Sequence, residues 1–100
     1  MSYSHETIIE KNITLSLEFE RYIQEHPDIL NQIPNGAEVV LLPKDDPELY
    51  RINLEAAQKA QRTGNGHIVV YVEIEAIAPV RSRLVNPHLT TRSPLIPAAA

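Results

Sequence analysis

Between Ser4 and Gln24 apolar residues return at helical spacing. Ile8, Leu15, Phe19 and Tyr22 fall on one face, Asn12 fills the step between Ile8 and Leu15, and Ile9, Ile13 and Ile23 lie beside them. The spacing predicts an amphipathic helix. Ser4 or Thr7 caps its start, Thr7 and Glu10 fit a capping box, and Glu6 and Glu10 suit the positive end of the helix dipole. Pro27 stops it, because the residue before a proline is pushed out of the helical region. The stretch from Pro27 to Pro34 is too short for a full helix and is expected to hold one or two helical turns.

Asn35-Gly36 is a turn dipeptide, and Ala37 to Leu42 then runs through Val39, Val40, Leu41 and Leu42 without a polar break, as in a strand covered on both faces. Pro43 ends that strand. Asp46 as N-cap, Pro47 at the first helical position and Glu48 in the first turn predict a second helix to about Arg62, with Leu49, Asn53, Ala56, Ala57 and Ala60 on one face. The alanines permit close approach to a partner surface. Thr63-Gly64-Asn65-Gly66 terminates it, and Ile68 to Ile74 alternates as a second strand.

This order predicts a small α/β domain, α-β-α-β, whose short parallel strand pair is joined by a right-handed crossover helix. Two strands are few for a parallel sheet, so either Val80 to Val85 adds a third or a second protomer supplies one across an open edge. The expected organisation is one domain over residues 1–89, followed by a flexible Pro/Ala-rich tail over 90–100.

Several short words along the chain point to a family. Glu10-Lys11-Asn12, Glu18-Phe19, His26-Pro27, Val39-Val40-Leu41-Leu42-Pro43, Asp45-Asp46-Pro47-Glu48, Asn53-Leu54 and Pro79-Val80-Arg81-Ser82-Arg83 resemble a family of small bacterial proteins known only as a domain of unknown function. The resemblance spans about residues 5 to 90. It implies no activity that could be carried over.

Composition narrows the class. Of 100 residues, 43% are hydrophobic and 22% charged, and the apolar runs are too short for a transmembrane helix. Met1 to Glu10 is polar and acidic, unlike a signal peptide, so the expected compartment is the cytoplasm. The absence of Cys removes disulfides, thiolate nucleophiles and Cys-type metal sites. At this length the chain has little room for an enclosed pocket. All 13 acidic residues precede residue 76, whereas Arg81, Arg83 and Arg92 follow it without a single acid. The body is acidic and the tail basic. Five aromatics and a net charge of -4 do not make a nucleic-acid surface.

Plainer roles account for most of the chemistry-bearing residues. His5, His26, His67 and His88 lack the spacing that brings two imidazoles to one metal, so surface or capping positions account for them, and no metal or cofactor is expected. Gly64-Asn65-Gly66 ends a helix and precedes a strand, the reverse of a dinucleotide-binding turn. The sequon Asn12-Ile13-Thr14 lies inside a helix. Asn12, polar on an apolar seam, reads as a residue that fixes register or partner orientation, and with Phe19 and Tyr22 it forms the expected oligomer-specificity set. In a parallel pair the segments after both strands emerge at one end, so Asp45, Asp46, Arg81, Ser82 and Arg83 are expected near each other. They would form either an ion-pair network or a site for an anion or a partner's carboxylate.

The functional expectation is a non-enzymatic, oligomeric protein-interaction module, adaptor or antitoxin-like, most simply a homodimer. Its alternative is a small-ligand or phosphate-binding protein with its site at the strand ends.

Overall fold

The computed structural model describes residues 2–64 and 66–95. The end of the predicted tail, Asn65 of the predicted turn and Met1 lie outside the described residues. The elements are α1 (His5–Glu25), a 3-10 segment (Pro27–Gln32), β1 (Glu38–Pro43), α2 (Pro47–Arg62) and β2 (Val69–Ile74).

Each boundary has a local cause. Of the two predicted caps for α1, Ser4 takes the role: its Oγ accepts from the Thr7 N–H at 3.1 Å. At the other end the His26 N–H donates to Tyr22 O at 2.8 Å, and Pro27 prevents a further turn. Gly36, at φ 77°, makes the left-handed turn into β1. The Asp46 carboxylate accepts from the Leu49 N–H at 3.3 Å and caps α2, with Pro47 in the first turn. Gly64 follows the last turn of α2 because a Cβ there would stand 2.6 Å from Ala60 O.

The strands pair in parallel from Glu38 opposite Val69 to Pro43 opposite Ile74. The Glu38 N–H donates to Ile68 O at 2.8 Å and the Lys44 N–H to Ile74 O at 2.7 Å. Even-numbered residues of β1 therefore aim their backbone groups at β2, and Val39 and Leu41 aim theirs outward. By the same register Val69, Tyr71 and Glu73 form the outer edge of β2.

The layers follow from side-chain contacts. The Tyr50 hydroxyl donates to Glu73 at 2.7 Å and the Tyr71 hydroxyl to Gln61 at 2.9 Å, which places α2 on the sheet face bearing Tyr71 and Glu73. Leu15, Phe19 and Tyr22 of α1 line a groove with Val72 and Ile74, on the opposite face. The arrangement is helix, two-stranded sheet, helix. Its core is small: among the described residues Leu15, Leu42 and Leu49, one from each of three elements, are fully buried together with Pro43.

The sheet remains two-stranded. Val80 to Val85, predicted to add a third strand unless a second protomer supplies one, forms no strand in this chain and is exposed throughout. Pro79 offers no donor on entry, and the Ser82 Oγ accepts the Leu84 N–H at 3.2 Å, an i to i+2 bond that competes with a ladder. The segment leaves the body as an extended arm. The Cα radius of gyration is accordingly 21.0 Å, against about 13 Å for a compact chain of this length.

Candidate functional site

The polar residue on the α1 seam has a partner within the chain. Asn12 Nδ2 donates to Asn53 Oδ1 at 3.2 Å, Asn53 Nδ2 donates to Asn12 Oδ1 at 2.9 Å, and Asn53 Nδ2 also donates to Leu41 O at 2.9 Å. Leu41 O is one of the outward groups of β1, so this amide pair clasps the sheet edge between the two helices and fixes the register of α1 against α2. Asn53 carries the same signal as Asn12, a polar residue on an otherwise apolar helical face.

Asp46 sits at the adjoining end of the clasp, with its side chain 18% exposed. Tyr3 Oη donates to its Oδ1 at 2.8 Å, Lys11 Nζ donates to its Oδ2 at 3.1 Å, and the Leu49 amide completes the set. The Tyr3 amide donates to Glu48, and the Lys11 ammonium lies 4.8 Å from the centre of the Tyr3 ring. Burial pushes the Asp46 carboxyl up, but the hydrogen bonds from Tyr3, Lys11 and Leu49 outweigh it and hold the pKa below 3.8. The same bonds to Asp46 raise the Tyr3 and Lys11 pKa values. Tyr50 is raised by its bond to Glu73. Tyr3 and Lys11 gave no sequence signal, because their role depends on α1 packing beside the start of α2.

The set Asp45, Asp46, Arg81, Ser82 and Arg83 does not assemble as an ion-pair network. No nitrogen–oxygen distance of 4.0 Å or less links either arginine to either aspartate, and the cation on Asp46 is Lys11. Asp45 is exposed, as are Arg81 and Arg83, and Ser82 bonds within the arm. Among the described residues no group of three or more His, Asp or Glu is placed to hold a metal ion.

What the fold does present is unfilled apolar surface beside free backbone. One groove of about 440 Å³ lies between α1 and β2, walled by Leu15, Phe19, Tyr22, Ile29 and Ile74 and continued by Ala76 to Ala78. Tyr22 stacks on His26 at 4.2 Å, which orients its ring there. A second groove, of about 480 Å³, follows the outer edge of β1 between α1 and α2, with Phe19 and Glu20 on one side, Ala56 and Ala60 on the other and Glu38 to Leu41 as its floor. The alanine stripe predicted to meet a partner element thus faces an open groove. On the far side of α1, Ile9, Ile13 and Leu17 form a further apolar stripe, each about half exposed. Phe19 is half-buried and lines both grooves, while Tyr22 is 49% exposed and lines the first.

Among curated proteins and among solved structures nothing matches the chain. Residues 7–87, which hold all but the first two residues of α1, both strands, α2 and the first part of the arm, match a family of unknown function, DUF5647, and the chain belongs to that family.

Proposed function

We propose that the protein is a non-enzymatic, homo-oligomeric interaction module, adaptor or antitoxin-like, that pairs with a second copy through the outer edge of β2. The observation carrying this reading is that edge. Val69, Tyr71 and Glu73 direct their backbone N–H and C=O groups outward, and no backbone hydrogen bond reaches them from outside the strand pair among the described residues. A two-stranded sheet is marginal alone, and pairing β2 antiparallel with its own copy makes four continuous strands.

The edge is also self-complementary. A two-fold axis at Tyr71 sets Tyr71 against its copy, Val70 against Val72 and Glu73 against Val69, so no like charges meet. Glu73 is further offset by the Tyr50 hydroxyl and by Lys44 at 3.9 Å. The adjacent apolar groove gives the second copy surface to cover. The upper part of the other edge is blunted, because Pro43 has no N–H and Leu41 O is taken by Asn53, which leaves only a short run at Val39 and the Leu41 N–H. We place the module in the cytoplasm; with no Cys its fold does not depend on disulfides. The alternative, a small-ligand or phosphate-binding site at the strand ends, would draw on Arg81 and Arg83, which make no direct ion pair with Asp45 or Asp46.

Light-scattering chromatography tests the reading directly. The full chain is expected at twice 11.3 kDa. Tyr71→Lys sets two ammonium groups opposite each other and is expected at the single-chain mass with unchanged helical circular dichroism. A single-chain mass for the unaltered protein would refute the reading.

A further inference from the structure

We propose that Val80 to Val85 of one copy adds as a strand to the β1 edge of a second copy, lying in the groove between α1 and α2. The inference does not require the β2 pairing and concerns a different edge.

The groove is built to admit backbone. On its floor the Val39 N–H and C=O and the Leu41 N–H point outward, so an incoming strand has ladder partners over a short run. Ala56 and Ala60 keep the α2 wall low. The Asn12–Asn53 clasp on Leu41 O closes one end of the groove and sets where the added strand must stop.

Charge selects the occupant. Glu20 and Glu38 line this groove, no cationic side chain lines it, and neither glutamate has an ion-pair partner among the described residues. In the other groove Glu18 is paired with Arg21, and Glu73 is engaged by Tyr50 and Lys44. The arm supplies the matching cations. Among the described residues no carboxylate lies within 4.0 Å of Arg81 or Arg83, and in an extended segment the two project to the same side about 6.6 Å apart. Val80, Ser82 and Leu84 take the opposite side. Val80 is fully exposed, Leu84 is 75% and Val85 84% exposed, so the chain holds two apolar strand residues and a β-branched neighbour that nothing covers. Asn86, at φ 46° and followed by Pro87, bends the backbone and limits the strand to the residues before it. The arm's hydrogen bonds among the described residues are local ones.

Charge reversal in two full-length variants tests this in trans. Arg81→Glu with Arg83→Glu makes an acidic arm beside an acidic groove, and Glu20→Arg with Glu38→Arg makes a basic groove beside a basic arm. The readout is amide hydrogen exchange over residues 80–85, at about 1 mM protein, where even a weak contact is populated. In the natural chain those amides are expected to exchange at least about twofold slower than in a free peptide of the same sequence. Each variant alone is expected to lose the protection, and an equimolar mixture to regain it, because every arm then meets a groove of opposite charge on the other chain. Unprotected arm amides in the natural chain overturn the proposal, whatever the variants do. Protection that survives in both variants, or that mixing fails to restore, overturns it as well.

Discussion

Asn12 and Asn53 show what one polar pair does in a domain with so little core. Each amide satisfies the other, and the second Asn53 proton covers the Leu41 carbonyl at an otherwise open edge. Asn53→Ala therefore strands two acceptors and one donor at a half-buried position, and a loss of about 1–3 kcal/mol is expected in urea unfolding. Asn12→Ala leaves the bond to Leu41 O intact and is expected to cost less. The double variant should fall short of the sum, since the two residues share one interaction. Asp46 illustrates the electrostatic counterpart. Its folded pKa lies below the unfolded value of 3.8, so the stability it contributes is complete above that value and is lost as pH falls through the folded pKa. Thermal melting followed from neutral pH to about pH 2 is expected to show this loss. Asp46→Asn, which keeps a capping oxygen, is expected to flatten the acid limb.

At the scale of elements, α2 binds the fold together. It caps itself through Asp46, reaches β2 through Tyr50 and Gln61, and clasps β1 and α1 through Asn53. Its one fully buried side chain is Leu49, 2% exposed. Leu49→Ala is expected to cost about 2–5 kcal/mol, against a total of about 5–15 kcal/mol for an ordinary domain. Loss of the cooperative denaturant transition at moderate temperature is the result to look for, and a change below about 1 kcal/mol would show that the surrounding helices collapse into the gap. The two sheet edges differ for reasons that are equally local. Pro43 and Asn53 blunt the upper part of the β1 edge, while the β2 edge carries no such device.

For the whole molecule, the balance of buried and exposed apolar surface argues for partners. Among the described residues four fully buried ones stand against open grooves on either side of α1, the stripe of Ile9, Ile13 and Leu17, and an arm with Val80, Leu84 and Leu89 in solvent. The charge separation along the chain, an acidic body and a basic arm, supports the proposed contact between copies. The two proposed contacts use different edges and are separable by experiment. Tyr71→Lys addresses mass, and the arm and groove reversals address exchange.

The local elements of this protein were legible in the chain because their signals are local: helical spacing from Ile8 to Tyr22, prolines at 27, 43 and 47, the Asp46 cap, and two β-branched runs separated by a helix. The parallel pairing followed from their order. The long-range polar contacts were not legible, because residues such as Tyr3 and Asp46, or Asn12 and Asn53, meet only after α1 is laid beside α2, and spacing within one element says nothing about which side chains two elements bring together. The same limit explains Arg81 and Arg83. Topology placed the ends of both strands at one edge of the sheet, but whether the following segment stays there depends on its own backbone. Pro79, the Ser82–Leu84 bond and Asn86 carry it away, and that outcome belonged to the tertiary structure.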